Sequence, residues 1–156
     1  MIKIFPKIIA QAHCDIPCGI YEPTPAKIAA KTVLRMAEQL NELEMTDHSD
    51  KNARLQYLNS VSRRISAKEE HAQLCKKELE ILWSDFLKPE HLEKFPKLHE
   101  NFWQAAKLCS KNKQEINIEA AKKLVEAVDE IAKIFYEVKN APEKYEAYKT
   151  ITDKLY

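Results

Sequence analysis

Apolar residues recur at three- and four-residue intervals in four stretches of the chain, the spacing of one helix face. Ala26, Ala30, Val33, Ala37 and Leu40 make the first stripe. Thr24 stands ahead of it as a helix cap, and Pro25 falls in the first turn, where a missing N–H costs nothing. The polar cluster Thr46-Asp47-His48-Ser49-Asp50 ends this helix. The second stripe is the longest: Leu58, Val61, Ile65, Ala72, Cys75, Leu79, Leu82 and Phe86, with Lys68 alone out of pattern. It stops near Ser84-Asp85, ahead of Pro89, and the segment KPEHLEKFP reads as irregular. Leu98, Phe102, Ala105 and Cys109 mark a third helix, followed by a polar loop from Ser110 to Asn117. Ala121, Leu124, Val128, Ile131, Phe135 and Val138 mark a fourth. Asn140-Ala141-Pro142 breaks the chain there, and residues 143–156 form a short helical tail. Four amphipathic helices with short connections predict an all-α fold, an antiparallel four-helix bundle.

Composition narrows the function. The 156 residues contain one glycine, so neither G-x-G-x-x-G nor a P-loop can be written. A turn-dense sandwich or barrel is disfavoured for the same reason. The formal net charge is +1 with no basic tract, so nucleic acid is not an expected partner. No apolar run reaches membrane-spanning length, so no membrane partner is expected. The first dozen residues, MIKIFPKIIAQA, differ from the rest: they carry Lys3 and Lys7, no acid, and a Pro6 interruption. They end in Ala10-Gln11-Ala12, a small-residue cleavage pattern, but lack the uninterrupted apolar run of an export signal. They read as a removable leader on a cytoplasmic protein; without them 23 basic residues face 24 acidic ones.

The chemistry concentrates in HCDIPCGIY, residues 13–21, with two of the four cysteines and the only glycine. If His13 becomes the N-terminus, its amine, its imidazole and the next amide nitrogen all reach one ion. The Cys14 thiolate continues the same small chelate rings, and the Pro17–Gly19 turn can return the Cys18 sulfur to that centre. Two nitrogens and two thiolates in a plane suit nickel(II) or copper(II) better than tetrahedral zinc. Such strong donors stabilise a higher oxidation state, which makes one-electron chemistry reasonable. The same C-x-x-x-C pair is also compatible with a disulfide or with free thiols.

HCDIPCGIY closely resembles the nickel hook of the nickel superoxide dismutases. ILWSDFLKPEHLEKFPKLHE, residues 81–100, resembles that family's internal signature, and IAKIFYEVKNA, residues 131–141, its last helix. The resemblance implies a removable leader at 1–12, a hook at 13–24, a bundle at 25–141 and an extension at 142–156. It implies one nickel ion per chain, held by the amine and axial imidazole of His13, the backbone nitrogen and thiolate of Cys14, and the thiolate of Cys18. Asp15 would support the hook through hydrogen bonds. Pro17 would follow a cis peptide, and Gly19 would supply a backbone shape that a Cβ hinders. Tyr21 would face the open side of the metal. The implied reaction is dismutation of superoxide to oxygen and hydrogen peroxide through a Ni(II)/Ni(III) cycle, by a homohexamer matured by an intracellular leader-cleaving peptidase.

The chain departs from that pattern at three positions. An acidic residue that contacts the hook histidine is Ala29 here, and the arginine behind it is His71, so both partners of a supporting pair have changed. A tyrosine after Trp-Ser-Asp is Phe86. The other candidates read as structural: Cys75 and Cys109 as buried small hydrophobes, and Trp83 and Trp103 as packing residues at the bundle ends or an interface. His91 and His99 read as surface or interface residues, Phe95 as an exposed interface aromatic, His48 as a loop residue, and the charged faces as solvated. The competing functions are a nickel- or copper-binding storage or delivery protein with the same hook, and a structural bundle with an N-terminal disulfide.

Overall fold

The structure, a computed structural model, describes residues 19–155. Its helices are α1 (Thr24–Glu42), α2 (Lys51–Ile81), α3 (His91–Lys94), α4 (Leu98–Gln114), α5 (Ile118–Val138) and α6 (Glu143–Thr152). The bundle is α1, α2, α4 and α5: α1 lies between α2 and α5, and α4 closes the ring against the same two helices. Short links at 43–50 and 115–117 set consecutive helices antiparallel. Val33, Cys75, Leu79, Phe102, Leu124, Val128 and Ile131 meet in the shared core.

Several local readings are corrected. Pro23, not Thr24, is the cap of α1; the Thr24 hydroxyl instead donates to Glu22 Oε1 at 2.9 Å. The stripe of α2 is shorter than its sequence suggests, because Leu58 is exposed and the regular helix ends at Ile81. A π-helical turn, Leu82–Phe86, follows, closed by the Leu87 amide donating to Leu82 O at 3.1 Å. KPEHLEKFP holds the one-turn α3, and Phe95 within it is half-buried against the core.

The polar run after Cys109 is not a loop up to Asn117, because α4 continues to Gln114. Two buried polar residues explain the extra turn. Asn112 donates from Nδ2 to Leu108 O at 2.9 Å and Ala120 O at 3.1 Å. Lys68, 1% exposed, donates from Nζ to Asn112 O and Lys113 O, which are carbonyls that a helix end leaves unpaired. Lys68 is therefore in pattern after all: its stem packs and its head caps α4.

Helix α5 starts on Asn117, whose side chain accepts from the Ala120 amide at 2.9 Å. It ends on Asn140 at φ 54°, with the Asn140 amide donating to Glu137 O and the Ala141 amide to Tyr136 O. This pairing satisfies the last carbonyls with asparagine in the left-handed position that glycine usually takes. The turn directs α6 back across α5 and α1. Asp129 fixes it there, accepting from Lys27 Nζ at 2.6 Å, Lys149 Nζ at 2.9 Å and the Tyr148 hydroxyl at 3.3 Å. Lys31 Nζ donates to Thr152 O and Asp153 O, each at 3.0 Å. Lys27, read as part of a solvated face, is 1% exposed.

Candidate metal centre and its cleft

His13, Cys14, Asp15, Pro17 and Cys18, and the expected cis Ile16–Pro17 bond, lie outside the described residues. The described chain begins at Gly19, with φ +71° in the left-handed region. Among the described residues no atom lies within 4 Å of where a Cβ would stand, and the positive φ itself favours glycine here.

From Tyr21 to Pro23 the chain is tied down residue by residue. The Tyr21 ring lies 5.5 Å from the Phe86 ring, which lies 4.6 Å from Phe135 in the core. Glu22 Oε1 accepts the Tyr136 hydroxyl at 2.5 Å, joining the end of the segment to α5. Burial, and then the Glu22 carboxylate, push the Tyr136 phenol far above its ordinary range, so it stays a donor. Pro23 is buried, and its carbonyl accepts from the Lys27 amide at 3.1 Å.

Tyr21 separates two hollows. One, about 450 Å³, is lined by Gly19, Tyr21, Asp85, Phe86, Lys88, His91, Val138 and Lys139. The other, about 170 Å³, is lined by Ile20, Tyr21, Glu22, Pro25, Glu78, Ile81 and Leu82. The π-turn delivers Asp85 and Phe86 to the larger cleft, in keeping with the frequency of such turns at functional sites. Lys88 and Lys139 line that cleft together with Asp85, so the two lysines and one carboxylate leave it one positive charge.

His91 belongs to this cleft and is more than a surface residue. The Lys88 amide donates to its Nδ1 at 3.0 Å, which places the proton of a neutral ring on Nε2. His99 sits elsewhere, accepting from Trp83 Nε1 at 2.8 Å while Trp83 stacks on Phe102. Trp103 is 52% exposed, with Lys107 Nζ over its ring.

Ala29 is buried and His71 half-buried. His71 Nδ1 lies 2.9 Å from Ala67 O. A carbonyl only accepts, so Nδ1 carries the proton and Nε2 is the acceptor of the neutral ring. Among the described residues no group of three or more His, Cys, Asp or Glu side chains could hold a metal ion.

Glu22, Tyr136, Lys88, His91 and Lys139 were not singled out as site residues from the sequence. Glu22 and Tyr136 are 114 residues apart, and no local pattern marks that contact. KPEHL offered a signal for Lys88 and His91, since a basic residue and a histidine follow the helix end next to Phe86, whereas nothing local marked Lys139.

A family model for nickel-containing superoxide dismutase matches residues 8–139. The chain is 36% identical over 136 residues to a nickel superoxide dismutase of Streptomyces seoulensis, covering 87% of this chain and 95% of that protein. It is 35% identical, over the same length and shares, to one of Streptomyces coelicolor. A crystal structure of nickel-containing superoxide dismutase, with nickel ligation of the oxidised state, aligns with a TM-score of 0.71 at 35% identity, covering 83% of this chain and 100% of its own. The hook motif, the bundle and these matches place the chain in the family of nickel-containing superoxide dismutases.

Proposed function

We propose that this chain dismutes superoxide with a nickel ion held by residues 13–18 after the leader is removed. The family supports the activity and the metal; the observation that carries the site assignment is HCDIPCGIY leading directly into the Tyr21 cleft. The residues present fit nickel: the amine and imidazole of His13, the backbone nitrogen and thiolate of Cys14 and the thiolate of Cys18 would hold the ion, a mixed nitrogen and thiolate set that suits it. The bound metal supplies one-electron chemistry between two oxidation states. The protein supplies the rest. Lys88 and Lys139 favour entry of an anion. Tyr21, braced by Phe86, restricts the open side to small molecules. Asp15, Pro17 and Gly19 shape the hook, and Gly19 contributes its left-handed φ. His71 backs the hook as a positioning residue, with Nε2 available to accept a hydrogen bond where family members use a charged pair.

Maturation by a leader-cleaving peptidase, a cytoplasmic setting and a homohexamer complete the proposal. The exposed Leu55, Leu58 and Trp103 support an interface between copies. A storage or delivery protein has no use for a braced tyrosine beside the site, so that reading is set aside.

The test is substitution of the sulfur donors. Cys14→Ser and Cys18→Ser should each abolish superoxide consumption and lower nickel content, because a hydroxyl donates far less than a thiolate. The helical circular-dichroism signal should persist, because the four bundle helices and the core residues they share lie between Thr24 and Val138. Retained activity in either variant would refute the two-thiolate centre.

A further inference from the structure

Cys75 on α2 and Cys109 on α4 are both free and fully buried, apart from the hook. The antiparallel register sets the two residues level across the helix pair: next to them Lys76 Nζ reaches Ser110 Oγ at 3.4 Å, and about two turns further along Trp83 stacks on Phe102. The seam around them is built of small side chains: Ala72 lies one turn before Cys75, Ala105 one turn before Cys109, and both are at 0% exposure. Helix axes packed about 8–10 Å apart, with Cα atoms about 2.3 Å from each axis, bring facing Cα atoms to roughly 3.5–5.5 Å. That overlaps the span of about 4.4–6.8 Å that a disulfide bridges. Along α2, Cys75 is seven residues from Leu82, or about 10 Å at the helical rise, from the turn that lines the Tyr21 cleft.

We propose that Cys75 and Cys109 are a redox-active pair that hydrogen peroxide, the product of the dismutase reaction, closes into a disulfide joining α2 to α4. The source of oxidant rests on the dismutase reading. One sulfur attacks a peroxide oxygen; the O–O bond breaks, leaving a sulfenic acid and one water. The second sulfur displaces the sulfenic oxygen as a second water, and the S–S bond forms. Two thiols lose two electrons, and one peroxide gains them. The neighbouring Cys109 thiol, and then burial, hold the Cys75 thiol well above its ordinary range. Little thiolate is therefore present, and each encounter reacts slowly. The pair responds to sustained peroxide and not to single turnovers.

The test uses nickel-loaded enzyme beginning at His13 and reagent hydrogen peroxide, so that oxidation does not depend on turnover. Superoxide consumption, measured on the same sample before peroxide is added, reports the dismutase reading separately. After alkylation of remaining thiols and tryptic digestion, peptide 69–76 should appear joined to peptide 108–111. The joined species should weigh two hydrogens less than the separate thiol peptides, vanish on reduction and be absent in Cys109→Ser. The oxidised protein should melt several degrees above the reduced one. A Cys75→Ala, Cys109→Ala double variant should keep the dismutase activity and lose the peroxide-dependent rise in melting temperature. Both peptides recovered as thiols, after exposure that oxidises the hook peptide, would overturn the proposal. Separate sulfinic acids at the two positions would do so as well.

Discussion

At the scale of single residues, the segment leaving the hook is held more firmly than its motif announces. Tyr21 rests on Phe86, which rests on Phe135, while Glu22 accepts the Tyr136 hydroxyl. Removing the Tyr21 hydroxyl leaves the ring contact in place. Tyr21→Phe should therefore bind nickel at the same ratio per chain and keep substantial activity, with altered saturation by superoxide. Elemental analysis with steady-state rates across superoxide concentrations checks this, and loss of nickel would make Tyr21 part of the metal's support. Tyr21 and Gly19 were legible because a short motif fixes both. Glu22 with Tyr136, and Lys27 with Asp129, were not: the latter partners are 102 residues apart. A lysine that buries its stem reads in sequence like any surface lysine.

At the scale of elements, apolar periodicity located α1, α2, α4 and α5 but misplaced their ends, because polar contacts between helices set those ends. Ser110–Gln114 reads as loop until Lys68 is seen to satisfy its carbonyls. Helix α6 depends on Asp129 in a similar way. Asp129→Asn keeps the shape but leaves Lys27, 1% exposed, with only the half-exposed Asp153 carboxylate, at 3.5 Å. Breaking a fully buried pair from one side costs about 3–5 kcal/mol, and the remaining Asp153 contact places this loss at or below the lower end of that range. Lys149 is partly exposed, so Lys149→Met should cost less than about 1 kcal/mol. Urea denaturation of the two variants should show that order, with Asp129→Asn also exposing residues 143–155 to protease. Equal midpoints for Asp129→Asn and the parent would remove the clamp from this account.

At the scale of the whole molecule, pH should act mainly on the alkaline side. Burial first, with Asp129 nearby, raises the Tyr148 phenol, and burial with Glu22 raises Tyr136. The Asp129 hydrogen bond raises Lys149. Each group holds its proton more tightly folded than unfolded. Their contribution is thus complete below the unfolded values near 10 and is lost as pH rises past them. Lys31 and Lys68, lowered chiefly by burial, act in the opposite direction through smaller shifts. The Cys75 thiol, also raised in the fold, adds a loss that begins near its unfolded value of about 8.5, so the urea midpoint should hold between pH 7 and about 8 and fall further above about 10; a midpoint that rises there would contradict the packing of Tyr136 and Tyr148. The all-helical bundle was legible at this scale from periodicity and a single glycine. The clamping of the last helix was not, because it depends on one aspartate in the middle of α5.

The central claim is that a metal centre forms at the amine of His13, and one comparison tests it most directly. The chain is expressed complete and in a form beginning at His13, both are supplied with nickel, and intact masses are verified before superoxide consumption is measured. In the complete chain the His13 nitrogen is a peptide amide bonded to Ala12, a poor donor unless deprotonated. One nickel per chain and dismutase activity are expected in the form beginning at His13, with none while residues 1–12 are attached. Equal activity from the intact complete chain would contradict the terminal-amine centre, and one nickel per chain without activity in the form beginning at His13 would contradict the enzyme.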